Sequence, residues 1–116
     1  MNEHPSVVFH LAREHDWRAA QDREVYTGSA QDRADGFLHF STADQIVESA
    51  RRHRAGERDL VLLRVDAHAL GSALRWEPSR GGDLFPHLYG DLPLDAVLGD
   101  SALELGEDGH HVFPPL

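Results

Sequence analysis

The chain is 116 residues long, 41% of them hydrophobic, with no cysteine and a formal net charge of −9 at pH 7. That length predicts one domain, residues 1–116, with a single packed core, and the missing cysteines exclude disulfides, thiolate zinc sites and a cysteine nucleophile. The negative charge argues against nucleic acid and an anionic membrane as partners, because phosphate groups would be repelled on average.

Residues 1–5 show neither the basic nor the apolar segment of an export signal. No apolar run approaches the roughly 20 residues that cross a bilayer, so we expect a cytoplasmic protein. All eleven basic residues are arginine, which excludes Schiff-base chemistry on lysine.

The predicted strands are short apolar runs rich in β-branched and aromatic residues, each bounded by turn residues. In chain order they are residues 6–11, 36–40, 59–66, 74–77, 85–89, 96–98 and 102–105. The run at 59–66 is apolar almost throughout, which predicts a central strand buried on both faces. Pro86 predicts an edge strand, or the start of a strand, for the run at 85–89.

Two helices are predicted, both in the N-terminal half of the chain. The first is capped by Asp16, and the second begins at Thr42, whose spacing to Gln45 is that of a capping box. Residues 26–36 are predicted to be a loop because of their glycines and small polar side chains. Two early helices followed mainly by strands predict an α+β fold with small mixed sheets.

Three histidines lie within predicted strands and are the candidates for a shared cleft. His10 sits in an apolar run, where it is either a hydrogen-bonded core residue or part of a cleft wall. His39 precedes a helix start with two hydroxyls, Ser41 and Thr42; the N–H groups there suit an anion such as phosphate, although the hydroxyls also serve as caps. His87 is equally compatible with a stacking surface for a planar ring and with ordinary packing.

Carboxylate and aromatic side chains accompany the third histidine. Tyr89 alternates onto the same side of its strand as His87. Glu77 shares a strand face with Arg75, which predicts a structural ion pair by default and a general base or ligand-orienting carboxylate as the alternative.

Four blocks of sequence carry a resemblance to a known family. They are Phe9-His10-Leu11, Gly36-Phe37-Leu38-His39-Phe40-Ser41-Thr42 followed by Gln45, Leu74-Arg75-Trp76-Glu77, and Phe85-Pro86-His87-Leu88-Tyr89-Gly90. They resemble the signature of a small bacterial family, Domain of Unknown Function 952, over residues 9–97.

The resemblance implies an ADP-ribosyltransferase-like fold and NAD as the cofactor, because that family is similar in structure to the ADP-ribosyltransferases. In those enzymes a histidine contacts the NAD ribose, a tyrosine stacks on nicotinamide and a glutamate orients the ribose. By motif order His10 falls at the histidine position and His39 near the tyrosine position. The glutamate position falls near His87, so a carboxylate would have to come from Glu77 on a neighbouring strand.

Three hypotheses about function remain open at this point. The first is a transferase or glycohydrolase that uses NAD, ADP-ribose or a phosphoribosyl compound. The second is a non-catalytic module that binds a nucleotide or sugar phosphate. The third is a metal-dependent hydrolase, although the histidine spacings match no local metal motif and no metal is expected. The catalytic residues of the first hypothesis are His39, His87 and Glu77, and its ligand-binding residues are His10, Ser41, Thr42 and Tyr89.

Overall fold

Strands and helices alternate in the first half of the chain, and strands dominate the second half. The computed structural model describes residues 4–116, except for the side chain of Arg80. Residues 1–3, part of the segment read for an export signal, lie outside the described residues. The strands, in chain order, are β1 (Val7–Arg13), β2 (Val25–Tyr26), β3 (Leu38–His39), β4 (Leu60–Asp66), β5 (Leu74–Pro78), β6 (Leu84–Leu88), β7 (Leu92–Pro93), β8 (Val97–Leu105) and β9 (His111–Val112).

Helices connect several of these strands. The α-helices are α1 (Glu14–Arg23), α2 (Ala30–Asp35), α3 (Ala43–His53) and α4 (Ala67–Leu70), and short 3-10 turns lie at Gly71–Ala73, Arg80–Gly82 and Leu94–Ala96. In the part of the chain that the structure describes, no helix combines the length and the apolar content needed to span a bilayer.

The main sheet has the order β1-β4-β8-β9, and all its described pairs are antiparallel. The prediction of a central strand at 59–66 is confirmed, because β4 lies between β1 and β8. Alternate residues of β4 enter two different apolar clusters: Leu63 and Val65 join one, and Leu60 and Leu62 join the other. Burial of both faces explains why this strand is apolar almost throughout.

A second sheet has the order β3-β6-β5, and β2 pairs with β7 in a small ribbon. Here the prediction of an edge strand for residues 85–89 is wrong, because β6 has a neighbour on each side. Pro86 is tolerated because β3 is only two residues long and pairs with His87 and Leu88. The Pro86 carbonyl accepts from the N–H of Phe40 at 3.0 Å. The Pro86 nitrogen, which carries no hydrogen, points to the same side of β6, where β3 has already ended, so no strand hydrogen bond is lost.

The two sheets are joined where β3 runs on toward β1. Phe9 and Ser41 form an isolated antiparallel bridge, with N–H···O distances of 2.7 and 2.8 Å. This bridge fixes the start of α3 against β1, so that Ile46 and Ala50 of the helix pack on Phe9 in the second apolar cluster.

The α+β class is confirmed, and several details of it are corrected. The described strands pair antiparallel, whereas the sequence predicted mixed sheets, and the helices number four in residues 4–116, whereas two were predicted. The predicted loop at 26–36 contains α2, because Ser29 and Asp32 form a reciprocal capping box. Helix α1 begins at Glu14, two residues before the predicted cap at Asp16.

The two strands predicted at 96–98 and 102–105 are one strand, β8. It pairs along β4 from Leu60 to Val65, with one irregularity between Arg64 and Val65. Pairing with a full-length neighbour therefore carries the strand through Gly99, which alone would predict an interruption.

Candidate functional site

A cleft of about 600 Å³ lies where β1, β3, β6 and the end of α3 meet. His10 from β1, His39 from β3 and His87 from β6 all line it. The rings of His39 and His87 lie 5.9 Å apart between centroids, in an edge-to-face arrangement. The structure thus brings the three histidines together, in a cleft of the size that takes a small ligand.

His10 is held on both of its ring nitrogens by protein groups. Its side chain is buried, and Nδ1 donates to the carbonyl of His39 at 2.6 Å. Since a carbonyl only accepts, Nδ1 carries the hydrogen, and Nε2 accepts from the Tyr26 hydroxyl at 2.8 Å. Burial lowers the pKa of His10, with the charge of Asp32 acting in the opposite direction. His10 therefore stays neutral and fixes the backbone of β3.

Asp32 anchors His39 from α2. The carboxylate is 4% exposed and accepts four hydrogen bonds: from the Ser29 N–H and hydroxyl, at 2.8 and 3.0 Å, and from His39 through Nδ1 at 2.5 Å and the backbone N–H at 3.2 Å. Burial alone would raise the pKa of Asp32, but the hydrogen bonds from His39 and Ser29 outweigh it and hold the pKa well below its ordinary value. The carboxylate is therefore ionised at neutral pH.

His39 lies between two carboxylates. Its Nε2 is 2.9 Å from Asp35 Oδ2, on the side of the ring away from Asp32. The hydrogen bond to Asp32 raises the pKa of His39, burial opposes this, and the charges of both aspartates add to the increase. Protonated His39 donates to both carboxylates, so this part of the cleft wall holds an imidazolium between two anions.

His87 differs from the other two in having one ring nitrogen left over. Its Nδ1 lies 2.8 Å from Glu77 Oε1, which also accepts from the Tyr89 hydroxyl at 2.8 Å. Hydrogen bonds from His87 and then from Tyr89 lower the pKa of Glu77, so the carboxylate is ionised and Nδ1 is the donor. Among the described residues nothing hydrogen-bonds Nε2, which is left as the acceptor nitrogen at the cleft.

Glu77 and Tyr89 are placed behind His87 and do not line the cleft. Glu77 reaches the cleft only through His87. The default prediction of an ion pair between Glu77 and Arg75 is wrong, since the Arg75 guanidinium lies over the Tyr89 ring at 4.8 Å. The Phe37 ring stacks on that of His87, with 4.2 Å between the ring centroids.

The two predicted hydroxyl residues have different places. Ser41 is buried and lines the cleft, with its Oγ 3.2 Å from Ser49 Oγ. Thr42 does not line it; it forms the predicted capping box with Gln45, whose Oε1 accepts from the Thr42 N–H at 3.0 Å.

Sequence reasoning missed both aspartates and the tyrosine that hold the histidines. Asp32 and Asp35 lie in the segment predicted as a loop, and Tyr26 lies at its beginning. The spacing of Ser29 to Asp32, that of a capping box, was the signal that could have indicated a helix there. No three histidine, aspartate or glutamate side chains in the described part of the chain converge in a group suited to hold a metal ion.

Comparison with known proteins identifies relatives by sequence and by structure. The model of the family described as "Protein of unknown function (DUF952)" matches residues 11–99. The crystal structure of protein CC0527 from Caulobacter crescentus is 40% identical, with a TM-score of 0.88, over 91% of this chain and 93% of that chain.

Two further structures of CC0527 agree. The crystal structure of a double mutant gives the same identity, coverage and TM-score, and the solution NMR structure has a TM-score of 0.81 at 40% identity, over 91% of each chain. No curated protein matches the chain.

Proposed function

Because the chain belongs to the DUF952 family, whose description names no activity, we propose a function from the site itself: hydrolysis or transfer at the N-glycosidic bond of NAD or a related ribosyl compound, on an ADP-ribosyltransferase-like fold. The observation that carries the proposal is the Glu77–His87 pair, in which Nδ1 is bound and Nε2 is left at the cleft. A carboxylate-oriented imidazole with one accepting nitrogen is the usual form of a general base.

In this reaction His87 acts on the attacking water. Nε2 takes a proton as the water oxygen bonds to C1′ of the ribose, and the electron pair of the C1′–N bond leaves with the nicotinamide nitrogen. Nicotinamide departs as a neutral molecule, ADP-ribose keeps the new hydroxyl, and the proton passes from Nε2 to solvent. Glu77 is a positioning residue, because its charge stabilises the imidazolium that forms on His87.

The remaining polar groups suit a ribosyl ligand. Asp35 is 37% exposed and lines the cleft beside His39, so a ribose hydroxyl can donate to a free lone pair of its carboxylate. The buried Ser41 hydroxyl adds a neutral donor and acceptor. His10, with both nitrogens engaged, supports the wall by holding β3 and is not proposed as a ligand contact.

A second candidate is a non-catalytic module that binds the same class of ligand. One observation favours it: His10 and His39 use all four of their ring nitrogens on protein groups. Proton transfer would then depend on His87 alone, and a site that only binds would need no free nitrogen at all.

The test is incubation of the purified full chain with NAD, following nicotinamide release and the thermal shift caused by NAD or ADP-ribose. His87→Asn is expected to lower the rate by about 100-fold or more. Glu77→Gln is expected to lower it by about 10-fold, because the imidazolium that forms on His87 loses its counter-charge. The exposed His15, 80% accessible, gives the matched control His15→Asn, which should leave the rate unchanged.

Each result decides between the candidates. Nicotinamide release that His87→Asn does not reduce contradicts the catalytic role of His87. A thermal shift without release overturns the enzyme and supports the binding module. If NAD gives no nicotinamide release, and neither NAD nor ADP-ribose gives a thermal shift, both candidates are overturned.

A further inference from the structure

Two arginines and one carboxylate line another part of the same cleft. Arg13, at the end of β1, donates through Nε to Glu57 Oε2 at 3.1 Å, and Arg54, just after α3, donates through Nη1 to Glu57 Oε1 at 3.2 Å. The three side chains are 40%, 19% and 28% exposed, in the order Arg13, Arg54, Glu57. They are accessible from the cleft while being held in place.

The charges in this group do not cancel. Two guanidinium groups share one carboxylate, which leaves one positive charge in a chain whose net charge is −9. A guanidinium has five N–H donors, and the contacts among the described residues use only Nε of Arg13 and Nη1 of Arg54. Donors on two separate guanidinium groups therefore remain for a ligand.

The spacing along β1 indicates how far Arg13 lies from His10, which contacts the backbone of His39. Arg13 is three positions after His10, which is about 10 Å along a strand. A ligand with its ribose beside His87 and His39 must be extended to reach the arginines. The opposite ends of such a ligand meet different chemistry, with carboxylates beside His39 and excess positive charge beside Arg13.

We infer that Arg13 and Arg54, held by Glu57, form the phosphate subsite of this cleft, and that the ligand is a ribosyl compound carrying a phosphate or diphosphate rather than a free nucleoside. Phosphate suits the group because its several oxygens accept from two guanidinium groups at once, and guanidinium–phosphate bonds are charge-assisted. The inference deepens the proposed function and rests on it for the ribose at His87.

The experiment measures binding of ADP-ribose, adenosine and inorganic pyrophosphate to the full chain by calorimetry, with acetate as a carboxylate probe. Arg13→Gln is expected to weaken ADP-ribose binding about 10-fold, and Arg13→Gln with Arg54→Gln about 100-fold, while adenosine binding stays the same. Pyrophosphate should compete with ADP-ribose, and acetate at equal concentration should not.

The chain contains a matched control for the charge change. Arg51 and Arg52 also share one carboxylate, that of Glu48, but they are 55% and 56% exposed and lie outside the cleft lining. Arg51→Gln with Arg52→Gln removes the same two charges from the protein and should leave ADP-ribose binding within 2-fold of the original.

Glu57→Gln separates ligand binding from a structural role. The substitution removes the negative charge beside the arginines, so ADP-ribose should bind several-fold more tightly. If Glu57→Gln weakens binding as much as Arg13→Gln does, the three residues only hold the wall together and the subsite is refuted. The Glu57 and Arg13 variants keep the test decisive if Arg54→Gln lowers the melting temperature.

Failure of this inference differs from failure of the proposed function. Nicotinamide release that depends on His87, with a KM for NAD unchanged in Arg13→Gln, overturns the phosphate subsite and leaves the reaction standing. ADP-ribose binding that depends on the arginines, without nicotinamide release, supports the phosphate subsite and overturns the reaction. If acetate competes with ADP-ribose as well as pyrophosphate does, the arginines bind anions in general and the phosphate subsite is refuted.

Discussion

Replacing Asp32 by asparagine tests the link between α2 and the histidine cleft. The carboxylate accepts from two groups of Ser29 and two groups of His39, all at 3.2 Å or less. Asparagine keeps one oxygen, which can serve two of these four donors, and it presents an NH₂ group to the other two. The shape of the side chain is unchanged, so the variant removes charge and acceptors without leaving a cavity.

The size of the effect follows from these contacts. Two donors of this part-buried network left without an acceptor cost about 1.5 kcal/mol each, so Asp32→Asn should lower the free energy of unfolding by about 3 kcal/mol. For a domain of this size that corresponds to a decrease in melting temperature of roughly 12 °C. Loss of the ion pair with protonated His39 acts in the same direction.

The loss should depend on pH with a defined sign. The pKa of His39 is raised in the folded state, so its stabilising contribution is complete below the unfolded value of about 6.5 and is lost as the pH rises through the folded value. The pKa of Asp32 is lowered, so its contribution is present above about 4 and is lost as the pH falls toward the folded value. The difference in free energy of unfolding between the original protein and Asp32→Asn should therefore be larger at pH 5.5 than at pH 9.5.

The measurement is urea unfolding followed by tryptophan fluorescence at both pH values. Asp35→Asn is the matched control, because Asp35 also contacts His39 but is 37% exposed, and an exposed pair contributes about 1 kcal/mol or less. A loss below 1 kcal/mol in Asp32→Asn, or a loss that grows with pH, would refute the proposed charge state of the Asp32–His39 pair.

Two further substitutions test the interior. Tyr26→Phe removes the hydroxyl that donates to buried Nε2 of His10 at 2.8 Å, so the free energy of unfolding should fall by about 1–3 kcal/mol in urea titrations; an unchanged midpoint would contradict the assigned tautomer of His10. Leu63→Ala empties a fully buried position at the centre of β4 and should cost about 2–5 kcal/mol in the same assay; a cost below 1 kcal/mol would show that β4 is not the core strand.

The sequence predicts best what depends on local pattern. The apolar run at 59–66 forms the central strand, and the spacing of Thr42 to Gln45 forms the capping box, because side-chain type and spacing alone determine both. The three histidines share a cleft although β1, β3 and β6 are far apart in the chain. That grouping followed from a family resemblance, since spacing does not specify which strands become neighbours.

What the sequence did not predict depends on tertiary partners. The position of Pro86 in an inner strand requires the knowledge that β3 is too short to need its missing N–H. The role of Asp32 requires both α2 and the approach of β3, so no local pattern identifies it as the anchor of His39. The contact of Glu77 with His87 likewise needs the pairing of β5 with β6, in which Arg75 lies directly opposite His87 and Glu77 reaches it diagonally from its place opposite Phe85.

The bridge between Phe9 and Ser41 has a consequence for how the cleft moves. Its two short hydrogen bonds, together with the bond from His10 to the His39 carbonyl, attach the histidine-bearing segment to the strand that also packs on the core. Regions attached in this way exchange their amide hydrogens only when a large part of the domain opens. The cleft should therefore be rigid on the timescale of ligand encounter, so that a ligand enters a site already formed and little conformational entropy is lost on binding.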